Sequence, residues 1–309
     1  MTFFAMIAIV LLVVLGISYY AYRFTFYSPK RNSKELYKLP HGEQYDKELK
    51  NIKMWIEEIM AIPCEEITIS SHDGKKLFGR YYHVADGAPV QLMIHGYKSS
   101  AYLDFCGGIK FARKCGYNVL AVDQRSHGRS DGSTITFGIK ERQDCIRWAN
   151  YISSRFGSDT KIILSGLSMG ASTVLMASAL NLPDNVVGII ADCPFSSPKA
   201  IIQKVGRDMH LPTKLSYPFV KLGAFIFGGF HLEECDAVSA VKNSKIPILI
   251  FHGDDDRFVP WEMSQEIKNS APENITLEIV PNAGHGLCYL VEPKQYEETT
   301  KRFLNEVIK

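Results

Sequence analysis

The first stretch of the chain is uniformly apolar. No charged residue occurs from Phe3 to Tyr22, and as a helix this stretch would be about 30 Å long, the thickness of a bilayer's hydrocarbon core. A cleaved secretory signal would carry a basic segment before a shorter apolar core, and neither is present. Aromatic residues typical of a membrane-interface belt lie at its end: Tyr19, Tyr20, Tyr22, Phe24, Phe26 and Tyr27. The pattern predicts an uncleaved transmembrane anchor over residues 1–27, with a signal peptide or a buried helix as the alternatives.

Basic residues follow the apolar stretch, and no lysine or arginine precedes it. The flanking cations are Arg23, Lys30, Arg31, Lys34 and Lys38. Because positively charged flanks stay on the cytoplasmic side of a membrane, we predict a single-pass membrane protein whose large C-terminal part is cytoplasmic. The seven cysteines are scattered and never form a Cys-x-x-Cys pair, which agrees with reduced thiols and argues against a disulfide framework or a zinc site.

Residues 28–61 combine a polar stretch with one amphipathic segment. Ser-Pro at 28–29 and Pro-His-Gly at 40–42 are typical of a tether. Apolar residues then recur at helical spacing, at Tyr45, Leu49, Ile52, Ile56 and Ile59. We expect a helix that docks onto the following domain; a membrane-surface or partner-binding helix is the alternative.

From residue 62 the pattern changes to short apolar runs. Asp73-Gly74 lies between two strand-like runs and predicts a hairpin. Six further runs are separated by helix-length segments: Val90–Ile94, Asn118–Val122, Lys161–Leu164, Val186–Ala191, Ile246–Phe251 and Ile275–Val280. Continuous apolar runs that alternate with helices predict an α/β fold over 62–309, with a mainly parallel central sheet and helices on both faces.

One segment is too long for an ordinary crossover. Residues 194–240 separate two predicted strands and carry an aromatic stretch, 217–230. Insertions of this length commonly form lids or binding walls. We therefore predict a lid-like insertion, while its aromatic stretch remains compatible with plain packing as well as with a substrate wall.

Composition adds mainly exclusions. The 309 residues are 46% hydrophobic and 22% charged, which is the composition of a folded globular chain. Thirty-five Lys and Arg against 33 Asp and Glu leave a formal charge of +2, so no basic field exists to attract phosphate backbones. We predict no nucleic-acid partner.

The strongest local motif is Gly-Leu-Ser-Met-Gly at 166–170, which follows an apolar run and precedes a helix-like segment. In such a strand-to-helix turn, small flanking residues allow the serine hydroxyl to rise off the sheet as a nucleophile. A bare match occurs often by chance, so the assignment of Ser168 depends on a base and an acid elsewhere in the chain. A plain turn serine is the alternative.

An acid and a base are found after the last two predicted strands. The motif His-Gly-Asp-Asp-Asp-Arg-Phe-Val-Pro at 252–260 points to Asp256 as the acid, and Asn-Ala-Gly-His-Gly at 282–286 points to His285 as the base. The order Ser, Asp, His differs from that of chymotrypsin-like and subtilisin-like enzymes. Competing residues of the same types are Asp192, Asp254, Asp255, His95, His127 and His252.

An oxyanion site would complete the chemistry. The strand ending at Ile94 is followed by His-Gly and then Tyr97. Acyl transfer needs two donors for the developing oxyanion. We predict the backbone amides of Tyr97 and Met169 as those donors, one after the His-Gly turn and one directly after the serine.

Taken together, these motifs resemble the α/β-hydrolase superfamily from about residue 62 to 309, and most closely its prolyl-oligopeptidase-like and membrane-anchored serine esterase branch. Further matching segments are 71–77, 123–130 and 192–196. The resemblance implies hydrolysis of esters, thioesters or peptides without a metal or organic cofactor. Dehalogenases and epoxide hydrolases of this fold use an Asp nucleophile, and a serine at 168 argues against them.

The sequence therefore predicts a membrane-anchored serine hydrolase that cleaves carboxylic esters through an acyl-enzyme. The apolar insertion beside a membrane tether favours small-molecule or lipid esters with an acyl chain or another apolar group. A serine peptidase is the first alternative. A catalytically silent scaffold is the second, although a scaffold needs neither a triad nor an oxyanion turn.

Overall fold

The computed structural model describes residues 2–29, 39 and 42–308. Most of the predicted tether, and four of the cations on which the predicted orientation rests, lie outside the described residues: Lys30, Arg31, Lys34 and Lys38. Every predicted run of the sheet is a strand, several of them extended at their carboxyl ends. The strands are β1 Glu65–Ser70, β2 Lys76–Tyr82, β3 Val90–Ile94, β4 Asn118–Asp123, β5 Ile162–Leu167, β6 Val186–Asp192, β7 Ile248–Gly253 and β8 Ile275–Val280.

The strands form one eight-stranded sheet in the order β1-β2-β4-β3-β5-β6-β7-β8. The β1–β2 hairpin and the β2–β4 pair are antiparallel, and the other pairs are parallel. The predicted fold class is therefore confirmed. Because parallel strands end at the same edge, the loops that follow β3, β5, β7 and β8 converge there, where α/β proteins bind their ligands.

Helices connect and cover these strands. They are α1 Thr2–Thr25, α2 Glu43–Asp46, α3 Leu49–Met60, α4 Ala101–Asp104, α5 Cys106–Lys114, α6 Glu141–Phe156, α7 Met169–Ala177, α8 Pro198–Asp208, α9 Thr213–Ile226, α10 Ala237–Val241, α11 Glu262–Ser270, α12 Cys288–Val291 and α13 Pro293–Val307.

Alternate strand residues supply two apolar layers. Leu92 of β3 packs with Trp148 of α6 and Val174 of α7, whereas its neighbour Met93 packs with Ile109 of α5 on the opposite face. Both faces are thus buried, which is why the strands read as continuous apolar runs.

The amphipathic segment contains helix α3. Helix α3 buries Ile52, Ile56 and Ile59 in the layer that contains Met93. Its apolar stripe therefore packs against the sheet domain, and the alternative of a membrane-surface helix is not needed to account for it.

The 194–240 segment divides into two parts. Helices α8 and α9 bury Ile201 and Ala224 in a cluster separate from the central core, whereas Ala237 and Val241 of α10 are fully buried in the central core. The final part of the predicted insertion is therefore an ordinary crossover helix, and the insertion proper is shorter than the sequence suggested.

The end of α1 departs most from expectation. Tyr20 and Phe24 are exposed, but Tyr22 is 7% exposed and Phe26 is fully buried, where its ring meets Phe137 and Phe230 at 5.7 and 5.2 Å. The prediction that all six rings form an interface belt is wrong for Tyr22 and Phe26, because the insertion provides them with a protein surface to pack on.

Backbone contacts extend this attachment. The Ile135 amide donates to the carbonyl of Phe26 at 2.8 Å, and the Ser28 amide donates to the carbonyl of Ser133 at 2.9 Å. The segment after α1 thus joins the sheet-containing domain at residues 133–135, and residue 27 is not a boundary in space.

Candidate active site

Ser168 occupies the sharp turn between β5 and α7. Its backbone has φ 54° and ψ −115°, which side-chain-bearing residues rarely adopt. The turn also brings backbone segments very close together. A Cβ at Gly166 would lie 2.3 Å from the carbonyl oxygen of Gly170, and a Cβ at Gly170 would lie 1.8 Å from the carbonyl oxygen of Ile94. The two glycines of the motif are therefore required by close backbone contact.

Three side chains predicted from separate motifs are brought together at this turn. His285 Nε2 lies 2.9 Å from Ser168 Oγ, and His285 Nδ1 lies 2.7 Å from Asp256 Oδ2. The Asp256 side chain is fully buried and that of His285 is 13% exposed. The result is a continuous hydrogen-bonded chain from a buried carboxylate to a serine hydroxyl.

The environment of Asp256 keeps it ionised. Burial alone would raise the pKa of this carboxyl, but hydrogen bonds with His252 and His285 outweigh burial and hold the pKa well below its ordinary value of 3.8. The amides of Phe258 and Val259 also donate to Asp256 Oδ1, at 2.9 and 2.8 Å. A carboxylate fixed in this way can orient an imidazole and stabilise its protonated form.

The competing acids make other contacts. Asp254 accepts a hydrogen bond from the Asn282 amide at 2.6 Å, and Asp255 accepts two from Arg257 at 3.1 and 3.2 Å. Asp192 is buried, and burial raises its pKa to about 6. Asp256 is thus the acid that reaches His285 Nδ1.

The competing histidines hold turns in place. His95 Nε2 accepts a hydrogen bond from the Gln124 amide at 3.0 Å, and His127 Nε2 accepts one from the Lys98 amide at 2.9 Å. His252 lies beneath Asp256, with Nε2 at 2.9 Å from the Val259 carbonyl oxygen. These contacts give the three rings structural partners.

The turn after β3 is placed against the serine. A Cβ at Gly96 would lie 3.4 Å from the Cβ of Ser168, so Tyr97 follows directly at the edge of the site. The amide of Gly96 donates to Asp104 at 2.5 Å, and the Ser99 hydroxyl donates to the same carboxylate. Sequence reasoning missed Asp104, which fixes the shape of the predicted oxyanion turn.

Met169 is the first residue of α7, immediately after Ser168. The first amides of a helix have no acceptor within it and carry the positive end of the helix dipole. The position suits the predicted second donor.

The segment before α3 was missed as well. The Gln44 amide group donates to the Asp255 carbonyl oxygen at 2.6 Å, and the Tyr45 hydroxyl donates to the carbonyl oxygen of His285 at 3.1 Å. Helix α2 thereby ties together the loops that carry the acid and the base. No motif in residues 42–46 signalled this contact.

One group of possible metal ligands occurs in the described part of the chain: Cys193, Asp256 and His285, with donor atoms within 4.8 Å of one another. Burial raises the pKa of the Cys193 thiol well above its ordinary value, so this sulfur is held neutral and is a poor ligand. His285 Nδ1 and the Asp256 carboxylate already bind each other. The three residues therefore fit a proton-relay site better than a metal site.

Two cavities meet at Ser168. One has a volume of about 600 Å³ and is bordered by His285, Trp55 and Tyr289. The other, of about 830 Å³, lies next to Met169 among α1, α8 and α9. A carbonyl at the serine can therefore direct its two substituents into different spaces.

The sheet order and the loops gathered at its carboxyl edge define a protein of the α/β-hydrolase class. A family profile described as "Alpha/beta hydrolase family" matches residues 91–299, more than half of the chain. The protein therefore belongs to the alpha/beta hydrolase family.

Several known proteins are similar to this chain. The uncharacterized protein YqkD of Bacillus subtilis is 26% identical over 235 residues, covering 73% of this chain and 75% of its own. The esterase PF2001 of Pyrococcus furiosus superposes with a TM-score of 0.67 at 25% identity, covering 82% of this chain and 94% of its own. Est1E of Butyrivibrio proteoclasticus, solved with ferulic acid, superposes with a TM-score of 0.61 at 23% identity, covering 78% and 99%. Family and neighbours together support a hydrolase with esterase-like relatives.

Proposed function

We propose that this protein is a membrane-anchored serine esterase in which Ser168 is the nucleophile, His285 the general base and Asp256 the orienting acid. The observation that carries the proposal is the hydrogen-bonded chain from Asp256 through His285 to Ser168, with distances of 2.7 and 2.9 Å. A serine hydroxyl is a weak nucleophile unless such a base removes its proton.

The reaction proceeds by acyl transfer. Ser168 Oγ attacks the ester carbonyl carbon while His285 Nε2 accepts the hydroxyl proton, and the amides of Tyr97 and Met169 donate to the oxyanion. The bond to the alcohol oxygen then breaks, and His285 returns the proton to the departing alcohol. A water molecule activated by the same histidine releases the carboxylic acid and restores the serine.

Ester substrates with an apolar acyl part suit the site best. The larger cavity at Ser168 is bordered mostly by aliphatic and aromatic side chains, among them Met169, Phe195 and Ile201. The two structurally similar proteins compared above include one named as an esterase and one bound to ferulic acid, which supports ester over peptide substrates.

Helix α1 serves as the anchor in this proposal. Phe3–Thr25 is long and apolar enough to cross a membrane, with a mean hydropathy of 2.5, and only 6% of its most apolar window is buried in the protein. A core helix of a soluble protein would be largely buried. Residues Tyr22 and Phe26, which pack on the domain, would hold the anchor against it.

The test is labelling with a fluorophosphonate, which reacts with activated serines. Detergent-solubilised full-length protein is compared with Ser168→Ala and with Ser178→Ala, a matched control at the end of the same helix. We expect the wild type and Ser178→Ala to be labelled and Ser168→Ala to be unlabelled, with ester turnover lower by about 10³-fold or more. Labelling that persists in Ser168→Ala, or a folded wild type that reacts with neither probe nor ester, would contradict the proposal.

A further inference from the structure

The larger cavity is built from segments that are far apart in the sequence. Helix α8 contributes Ile201 and Val205, α9 contributes Tyr217 and Val220, and the cavity ends at Ser168. Its volume of about 830 Å³ lies within the range of small-molecule and lipid sites. The insertion therefore covers the candidate nucleophile with an apolar chamber.

The remaining wall of this chamber is the apolar N-terminal helix itself. The residues of α1 that border it are Ile17, Tyr20, Ala21, Arg23, Phe24 and Thr25, of which Arg23 alone is charged. They belong to the same segment, Phe3–Thr25, that is long and apolar enough to span a membrane. One helix thus provides both the candidate membrane span and one side of the substrate chamber.

Close packing fixes α1 in this position. A Cβ at Gly223 of α9 would lie 2.4 Å from the carbonyl oxygen of Ser18, so only glycine permits this approach of the two helices. At the other end, the Tyr97 hydroxyl donates to the Thr25 carbonyl oxygen at 2.8 Å. The helix is thereby connected to the turn that carries the proposed oxyanion donor.

The insertion exposes apolar side chains beside the same helix. Phe225, Ile226 and Phe227 at the end of α9 are 53%, 45% and 36% exposed. The ring of Phe227 lies 5.1 Å from that of Tyr19 in α1. Clusters of exposed apolar side chains are uncommon on surfaces that face water. This end of the insertion, next to the candidate membrane span, is therefore suited to contact with lipid.

We propose that the substrate is a membrane lipid ester whose acyl chain passes from the bilayer into the chamber between α1 and the insertion, so that its carbonyl reaches Ser168. This inference rests on the proposed esterase function. Helix α1 advances about 12 Å from Ile17 to Thr25. An extended alkyl chain advances ~1.3 Å for each C–C bond of ~1.5 Å, so this length matches about ten carbons. Esters with medium to long acyl chains are therefore the favoured substrates.

The second cavity receives the other half of the substrate. When Ser168 Oγ bonds to the carbonyl carbon, the bond to the alcohol oxygen breaks and the alcohol takes the proton held by His285. The alcohol leaves through the space of about 600 Å³ beside His285, and the acyl chain stays in the apolar chamber until water releases it as a fatty acid.

The experiment narrows the chamber from the side of α1. Ala21, which borders the chamber, is replaced in Ala21→Trp, and the matched control is Ala8→Trp, at an exposed position of the same helix outside the cavity lining. Full-length proteins are reconstituted in vesicles of dialkyl ether-linked phosphatidylcholine, which contains no carboxylic ester. The readout is the ratio of kcat/KM for dodecanoyl glycerol in these vesicles to that for a water-soluble acetyl ester.

We expect Ala21→Trp to lower this ratio about tenfold or more, and Ala8→Trp to keep the wild-type ratio. An unchanged ratio in Ala21→Trp, with both esters still cleaved, would overturn the acyl-chamber proposal and leave the esterase function intact. A wild type that cleaves neither ester would overturn both. Fluorophosphonate labelling of each variant verifies that Ser168 remains reactive.

Discussion

The proposed triad and the proposed acyl chamber are assembled in different ways. Ser168, Asp256 and His285 each follow a strand of one sheet, so each is placed by a short local motif and a shared edge. The chamber is formed by α1, α8 and α9, which carry no motif and meet only through tertiary packing. Reaction chemistry is thus readable from short segments, whereas substrate choice depends on contacts between segments that lie far apart.

The two regions also differ in what constrains their residues. At the turn between β5 and α7, Gly170 is required because a side chain would overlap the backbone of β3. In the chamber, many apolar side chains of similar volume would fill the same space. Single substitutions should therefore cause large losses of activity in the first region and, where side-chain volume is kept, small changes in substrate preference in the second.

Loss of Ser168 or His285 would remove the proposed nucleophile or base outright, and the next largest effect in this region is expected for the acid. Asp256→Asn should lower kcat by about 10³- to 10⁴-fold, because an amide cannot stabilise protonated His285. Asp255→Asn, at a partly exposed neighbour bound to Arg257, is the matched control and should stay within a few-fold of wild type. Ester turnover by both variants checks this, and equal losses in the two would remove the special role of Asp256.

A stability effect is expected where α1 joins the domain. Phe26 is fully buried, so Phe26→Ala should lower the free energy of unfolding by about 3–5 kcal/mol. Phe4→Ala, at a site near the start of α1 that is 77% exposed, should leave it nearly unchanged. Denaturant unfolding in detergent measures both. If the two variants have the same free energy of unfolding, the end of α1 does not pack stably on the domain. In that case α1 would not form a wall of the chamber.

Most of the fold was predictable because its signals are local. Strands such as β3 and β4 are buried on both faces, so their apolar runs are continuous and unambiguous. The glycines beside Ser168 belong to a short motif. Asp256 and His285 lie in similar short motifs directly after β7 and β8. The positions of the three side chains at one edge of the sheet therefore followed from the order of strands and motifs along the chain.

The supporting residues were not predictable for a physical reason. Asp104 reads as an ordinary acid in a short helix, and only folding brings its carboxylate to the Gly96 amide. Likewise, an apolar ring such as Phe26 gives the same pattern whether it faces lipid or protein. Hydrophobicity reports that a side chain avoids water and does not report which apolar surface it meets.

The central claim is that the acyl chain of a substrate bound at Ser168 lies against α1. A dodecyl fluorophosphonate with a diazirine at its chain end tests this in the ether-lipid vesicles, because phosphonylation fixes one end and light records the position of the other. The account predicts crosslinks to residues 17–25 of α1 from a probe attached at Ser168. Crosslinks to Trp55 or Tyr289 in the second cavity would contradict it.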